Sequence, residues 1–142
     1  MSDAINLVSG PLRRRLLRDG ASALSDAEWH LLRVSHLMKA AECGALARLL
    51  ADTPVAELLD VADGLDAIGT PNAGQRLRTA TEELTVANDP GHGLARATVV
   101  TNSASLLGDQ LAELRPAIEQ HLLEYAVRQR EHAAMARGSA RT

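Results

Sequence analysis

Aromatic side chains are almost missing from this 142-residue chain: Trp29 and Tyr125 are the only two, and there is no phenylalanine. Apolar residues still make up 46%, so the core has to be aliphatic. It is built from Leu, Ala, Val and Ile, in which strong helix formers dominate. Cysteine occurs once, as Cys43, which excludes an intramolecular disulfide framework and a cysteine-rich zinc site. No apolar run approaches the roughly 20 residues of a membrane span, and Met1-Ser2-Asp3 does not open a signal peptide. A strong excess of either charge is lacking as well. Fifteen basic against eighteen acidic side chains leave a net charge of −3, so direct nucleic-acid binding by overall charge is excluded. Together these absences lead to the expectation of a soluble cytoplasmic protein of one domain. A domain of this size buries roughly 68–70% of its unfolded surface and needs no crosslink or metal to hold its core.

What the chain does contain is helix punctuation. Gly10-Pro11 reads as a break after ten uncommitted residues, and Pro11 to Arg18 as a short helix. Leu12, Leu16 and Leu17 fall on one side of it, and Arg13, Arg14, Arg15 and Arg18 around the rest. Asp19-Gly20 stops it. Ser25-Asp26-Ala27-Glu28 is a capping box, with Leu24 placed to staple onto Trp29. Leu31, Val34, Leu37, Met38 and Ala41 carry the stripe to about Glu42, and a bend or break is expected at Cys43-Gly44 before Ala45 to Leu50 resumes.

Thr53-Pro54 and Thr70-Pro71 are two cap-plus-proline starts, with Thr at the cap and Pro at the first helical position. Leu58, Leu59, Ala62, Leu65 and Ile68 form the buried side of the first, and Gly69 suits the left-handed residue that ends it. The second runs to about Ala87, so the pair makes a tight hairpin. Asn88 to Gly93 reads as a loop. Val99-Val100-Thr101 has strand flavour but no partner strand, which leaves loop or helix start. Ser103 to Leu114 and Pro116 to about Met135 are predicted helices, with Leu107, Leu111, Leu114, Ile118, Leu122 and Tyr125 inward and Pro116 kinking or dividing them. The expected fold is therefore all-α, a single compact domain of about six helices in an orthogonal or bundle-like arrangement. Residues 1–23 form an N-terminal arm with a short basic helix, 24–136 the helical domain, and 137–142 a frayed tail.

Candidate chemistry is thin. His30 and His36 face different sides of one helix, and His121 and Glu124 share a face but occur as a single pair. His92 sits in the loop between two glycines. Cys43 has no adjacent histidine to activate it and reads as a small buried hydrophobe. No glycine-rich phosphate loop, nucleophile elbow or His-Glu-x-x-His is present. No catalytic residue, cofactor site or metal site is expected.

Charge, however, is unevenly placed. Residues 52–89 carry eight acidic side chains against Arg76 and Arg78, a local balance of −6 that exceeds the net charge of the whole chain. At about 100° per residue, Glu57, Asp60 and Asp63 fall opposite Leu58, Ala62 and Leu65, with Asp66 at the border. With Glu82 and Glu83 they form a candidate patch for a basic partner, or else a solvated face.

Three stretches also resemble a bacterial family of small all-α proteins, largely of unknown function, the DNA-mimic-protein family. Leu24-Ser25-Asp26-Ala27-Glu28 and the helix after it are similar to its opening. Leu65-Asp66-Ala67-Ile68-Gly69-Thr70-Pro71 resembles its Ala-Ile-Gly-Ala-Pro hairpin, and His121 to Val127 its closing helix. Between them the family's Asn-Gly-Gly-Phe signature is degraded to Cys43-Gly44-Ala45-Leu46, and the following Gln-aromatic-aromatic stretch to Arg48-Leu49-Leu50. The resemblance spans roughly residues 24–133. It implies an acidic surface that imitates DNA phosphates and occupies a DNA-binding protein. The functional expectation is a non-enzymatic, acidic-faced module for a basic partner, with Glu57, Asp60, Asp63, Asp66, Glu82 and Glu83 as its contacts. An enzyme with a small site near Cys43-Gly44 is the alternative, and monomer and homodimer stay open.

Overall fold

The computed structural model describes residues 3–88 and 95–140. Six α-helices account for most of them: α1 (Asp3–Asp19), α2 (Asp26–Glu42), α3 (Leu46–Asp52), α4 (Val55–Ile68), α5 (Pro71–Ala87) and α6 (Arg96–Ala140). A single 3-10 turn (Ala21–Ala23) joins the first two, and there is no strand among the described residues. The all-α expectation holds. Helices α2 and α6 are central. The first packs on α1, α3, α4 and α6, the second on α1 to α5, and α4 pairs with α5 as a hairpin.

The reasons are local where the chain marks its helix ends. Ser25 caps α2 through its side chain, which accepts from the Glu28 backbone, while the Glu28 carboxylate accepts in return from the Ser25 N–H. The chain breaks at Cys43-Gly44 as expected, with Gly44 at φ 73°. Gly69 takes φ 101° and closes α4, and Pro71 opens α5. Thr70 binds differently from a cap: its hydroxyl donates to the Leu65 carbonyl at 2.9 Å, tying the turn back onto α4.

Five boundaries differ from the sequence reading. One is the end of α6, which runs through Ala140, where the helix was expected to stop near Met135 and residues 137–142 to form a frayed tail. The ten residues expected to be uncommitted are helical from Asp3, and Gly10-Pro11 lies inside α1 without breaking it. Ile5, Val8 and Leu12 are in the core, whereas Leu17, read as inward, is 88% exposed. Pro116 likewise lies inside one uninterrupted helix of 45 residues, about 67 Å long, which starts ahead of Val99-Val100-Thr101. Both prolines are tolerated for one reason. A proline frees the carbonyl four residues earlier, and Pro11 and Leu7, like Pro116 and Ala112, lie on exposed faces where water can satisfy that oxygen. At α4 the start shifts by one: Thr53 ends α3, and Pro54, extended at φ −58° and ψ 146°, is the cap rather than the first helical residue.

The core is aliphatic, centred on fully buried Leu37, Met38, Leu50, Leu58, Leu65, Leu77, Leu107 and Leu111. Trp29 and Tyr125 pack at its margin, each under an arginine: Arg33 lies 5.3 Å and Arg128 5.7 Å from the ring centres. Among the described residues no helix is long and apolar enough to cross a membrane.

Candidate functional site

Helix α4 buries Leu58, Ala62, Leu65 and Ile68, which turns its remaining side outward. Every exposed polar residue of α4 is a carboxylate: Glu57, Asp60, Asp63 and Asp66. At 100° per residue, Asp60 and Asp66 flank Asp63 by about 60° on either side, and exposed Ala56 and Ala67 lie between them together with Leu59. Leu59 was expected on the buried side but is 39% exposed, because its neighbour Leu58 takes the inward position. Glu57 stands about 120° from Asp63, at the margin of that face. Apolar positions interleaved with carboxylates are the result.

The charge is not all free. Arg78, on α5, reaches across the hairpin and donates from Nη2 to Asp63 at 2.9 Å and to Asp66 at 2.5 Å. These bonds, the one to Asp66 first, hold the guanidinium above the usual arginine range. Asp63, Asp66 and Arg78 thus form a clamp of net −1. Asp60 and Glu57 have no ion-pair partner among the described residues.

Glu82 and Glu83 do not join that face. Glu83 lies on the α6 side of α5, where its carboxylate accepts a 2.7 Å hydrogen bond from the buried Ser103 hydroxyl. With Glu82, Val86, Val99 and Asn102 it lines a separate groove of about 520 Å³ between α5 and α6. The six expected contacts therefore divide in two, four on α4 and two in the α5–α6 groove.

Nothing within α4 alone points to Arg78. The hairpin does carry a signal. With the turn at Gly69-Thr70, Asp63 lies seven residues before Thr70 and Arg78 eight after, so antiparallel helices must set them side by side.

The other candidates stay apart. Cys43 is exposed rather than a buried hydrophobe, because the α2–α3 turn carries it outward. Next to it in sequence, Glu42 lies 3.8 Å from Arg115, which in turn lies 3.9 Å from Glu119. The Arg115 Nε and Glu119 Oε1 atoms of this group are buried without a hydrogen bond. His121 Nδ1 approaches Glu124 at 4.0 Å on an exposed surface. His30 lies against Gly64 at the α2–α4 contact, its Nδ1 buried and without a hydrogen-bond partner. No group of three or more His, Cys, Asp or Glu side chains gathers as metal ligands among the described residues. His92 and Asp89 lie outside the described residues. No family model, no curated protein and no solved structure matches this chain.

Proposed function

We propose that this protein is a non-enzymatic binding module whose α4 face takes a basic partner, of the kind the DNA-mimic resemblance implies: a nucleic-acid-binding protein occupied by carboxylates in place of phosphates. One observation carries the reading, namely that every exposed polar side chain of α4 is a carboxylate. These groups stand on successive turns of a helix anchored by five buried residues, so a partner's Lys and Arg need not order them on binding. The Arg78 clamp fixes two of the four, and exposed Leu59 supplies an apolar anchor between the charges. Such a face accelerates association and selects partners by sign, and it weakens as salt screens it over roughly 8–10 Å.

The test is capture from the native host's lysate with the chain and with Glu57→Gln/Asp60→Asn, across a salt series. Basic nucleic-acid-binding proteins should be recovered by the first and lost by the second, and duplex DNA should displace them. Folding should be unchanged within about 0.5 kcal/mol, as for most surface substitutions. Equal capture by both proteins at every salt concentration would leave α4 a solvated face.

A further inference from the structure

A cleft of about 660 Å³ lies among α1, the start of α2 and the last third of α6. Its floor is apolar: Val8, Leu12, Leu31 and Ala126, all buried. Its rim is polar and unevenly charged, with Arg15, Glu28, Arg130 and His132. The chemistry of a ligand follows from which rim groups are still available. Glu28 is not. One of its oxygens accepts from the Ser25 N–H and hydroxyl, and the other from Arg15. Its negative charge is offset by Arg15 and by the N-terminal end of α2, where a carboxylate is favoured. Arg130 has no ion-pair or hydrogen-bond partner among the described residues, and its guanidinium offers five donors and no acceptor. The unpaired charge at this rim is the Arg130 guanidinium, next to Gln129, whose amide both donates and accepts, in a protein whose net charge is −3.

We infer that this cleft binds a small organic anion with an apolar body, a medium-chain or aryl carboxylate, whose tail lies on Val8, Leu12, Leu31 and Ala126 and whose head pairs with Arg130. Its volume is within the roughly 300–1,000 Å³ of small-molecule sites, and an apolar lining with a few convergent polar groups is their usual construction. An arginine takes a carboxylate through two parallel hydrogen bonds, so the head group is fixed in direction as well as in charge. A cation of the same body would face Arg15 and Arg130 with the Glu28 carboxylate already bound, and is rejected. The cleft is separate from the α4 face, so this site stands or falls independently of the partner-binding role.

Octanoate is the probe, titrated into the full-length protein in the millimolar range and followed by methyl NMR and calorimetry, with octylamine and octanol in parallel. Octanoate should shift the Val8, Leu12, Leu31 and Ala126 methyl signals. Octylamine should not, and octanol should bind at least tenfold more weakly. Arg130→Gln removes an exposed charge without touching the core, and should weaken octanoate about tenfold while leaving the melting temperature and octanol binding unchanged. Binding of octanoate undiminished in Arg130→Gln, equal binding of octylamine, shifts confined to other methyls, or no binding at all would each overturn the assignment.

Discussion

At Gly74 helices α4 and α5 come into close backbone contact, whereas α1 meets α2 and α6 through side chains that leave a cleft between them. In the hairpin, Gly74 lies so close to α4 that a β-carbon built on it would sit 2.9 Å from the Ala62 carbonyl oxygen and against the Asp66 carboxylate. Nothing large fits there. The two backbones approach closely, and the charge that cannot be buried is turned outward as a carboxylate face. At α1, Ile5, Val8 and Leu12 reach the core while Leu7, Arg14 and Leu17 point away, and the space beside Val8 and Leu12 remains open. Close backbone contact leaves no concavity between the two helices, and incomplete side-chain contact leaves one beside α1.

Deleting a leucine on each side breaks or sharpens this contrast. Leu65 is fully buried beside the hairpin turn, so Leu65→Ala leaves an enclosed cavity and should cost about 2–5 kcal/mol. Leu12 is 6% exposed and borders open space, so Leu12→Ala widens an existing cleft and should fall at or below the lower end of that range. Denaturant midpoints at unchanged slope would read both. Equal losses would mean that the α1 side is packed as tightly as the hairpin.

The same contrast explains what the amino-acid sequence discloses. Ser25-Glu28, Gly69 and Thr70-Pro71 each place a chemically specific group at a helix end, and the helices start or stop there to within a residue. Pro11 and Pro116 carry the same kind of mark but no boundary. Whether a proline ends a helix depends on whether the carbonyl it frees faces water, and that is settled by tertiary packing. Leu17 differs from its expected place for a related reason: three leucines within six residues fit an inward stripe, but Ile5 and Val8 set which face of α1 is buried. Carboxylates on α4 could be read from spacing within one helix. The Arg78 clamp and the Arg130 cleft each need two or more helices at once, and periodicity within one helix does not contain them.

Two glycines sharpen the comparison at smaller cost. Gly74→Ala gains the helix-forming advantage of alanine, about 0.5–1 kcal/mol. Against that stands overpacking on the Ala62 carbonyl, a backbone group that cannot swing aside, at about 1–3 kcal/mol. A net loss of about 1 kcal/mol is expected. Gly108, on α6, meets only the Leu46 side chain at 3.8 Å, an ordinary contact. Gly108→Ala should therefore be stabilising by about 0.5 kcal/mol. Opposite signs in the two melting temperatures would establish that α4–α5 is the closer pair.

A similarly small effect on stability is expected at Arg78, and it separates structural from recognitive use of the acidic face. Arg78 is 28% exposed, and its partners Asp63 and Asp66 are 63% and 37% exposed, so water and salt screen the clamp substantially. Arg78→Gln should cost no more than about 1 kcal/mol, an amount that shrinks as salt is raised. Its effect on binding should run the other way. Removing the cation raises the charge of the Asp63–Asp66 edge from −1 to −2 and leaves the α4 backbone in place, so a basic partner should associate faster at low salt. Stopped-flow association across a salt series measures this directly, with Glu57→Gln/Asp60→Asn as the opposing variant. If Arg78→Gln slows association instead, the partner reads the ordered clamp and not its net charge. The two carboxylates would then act as oriented hydrogen-bond acceptors that Arg78 holds in position.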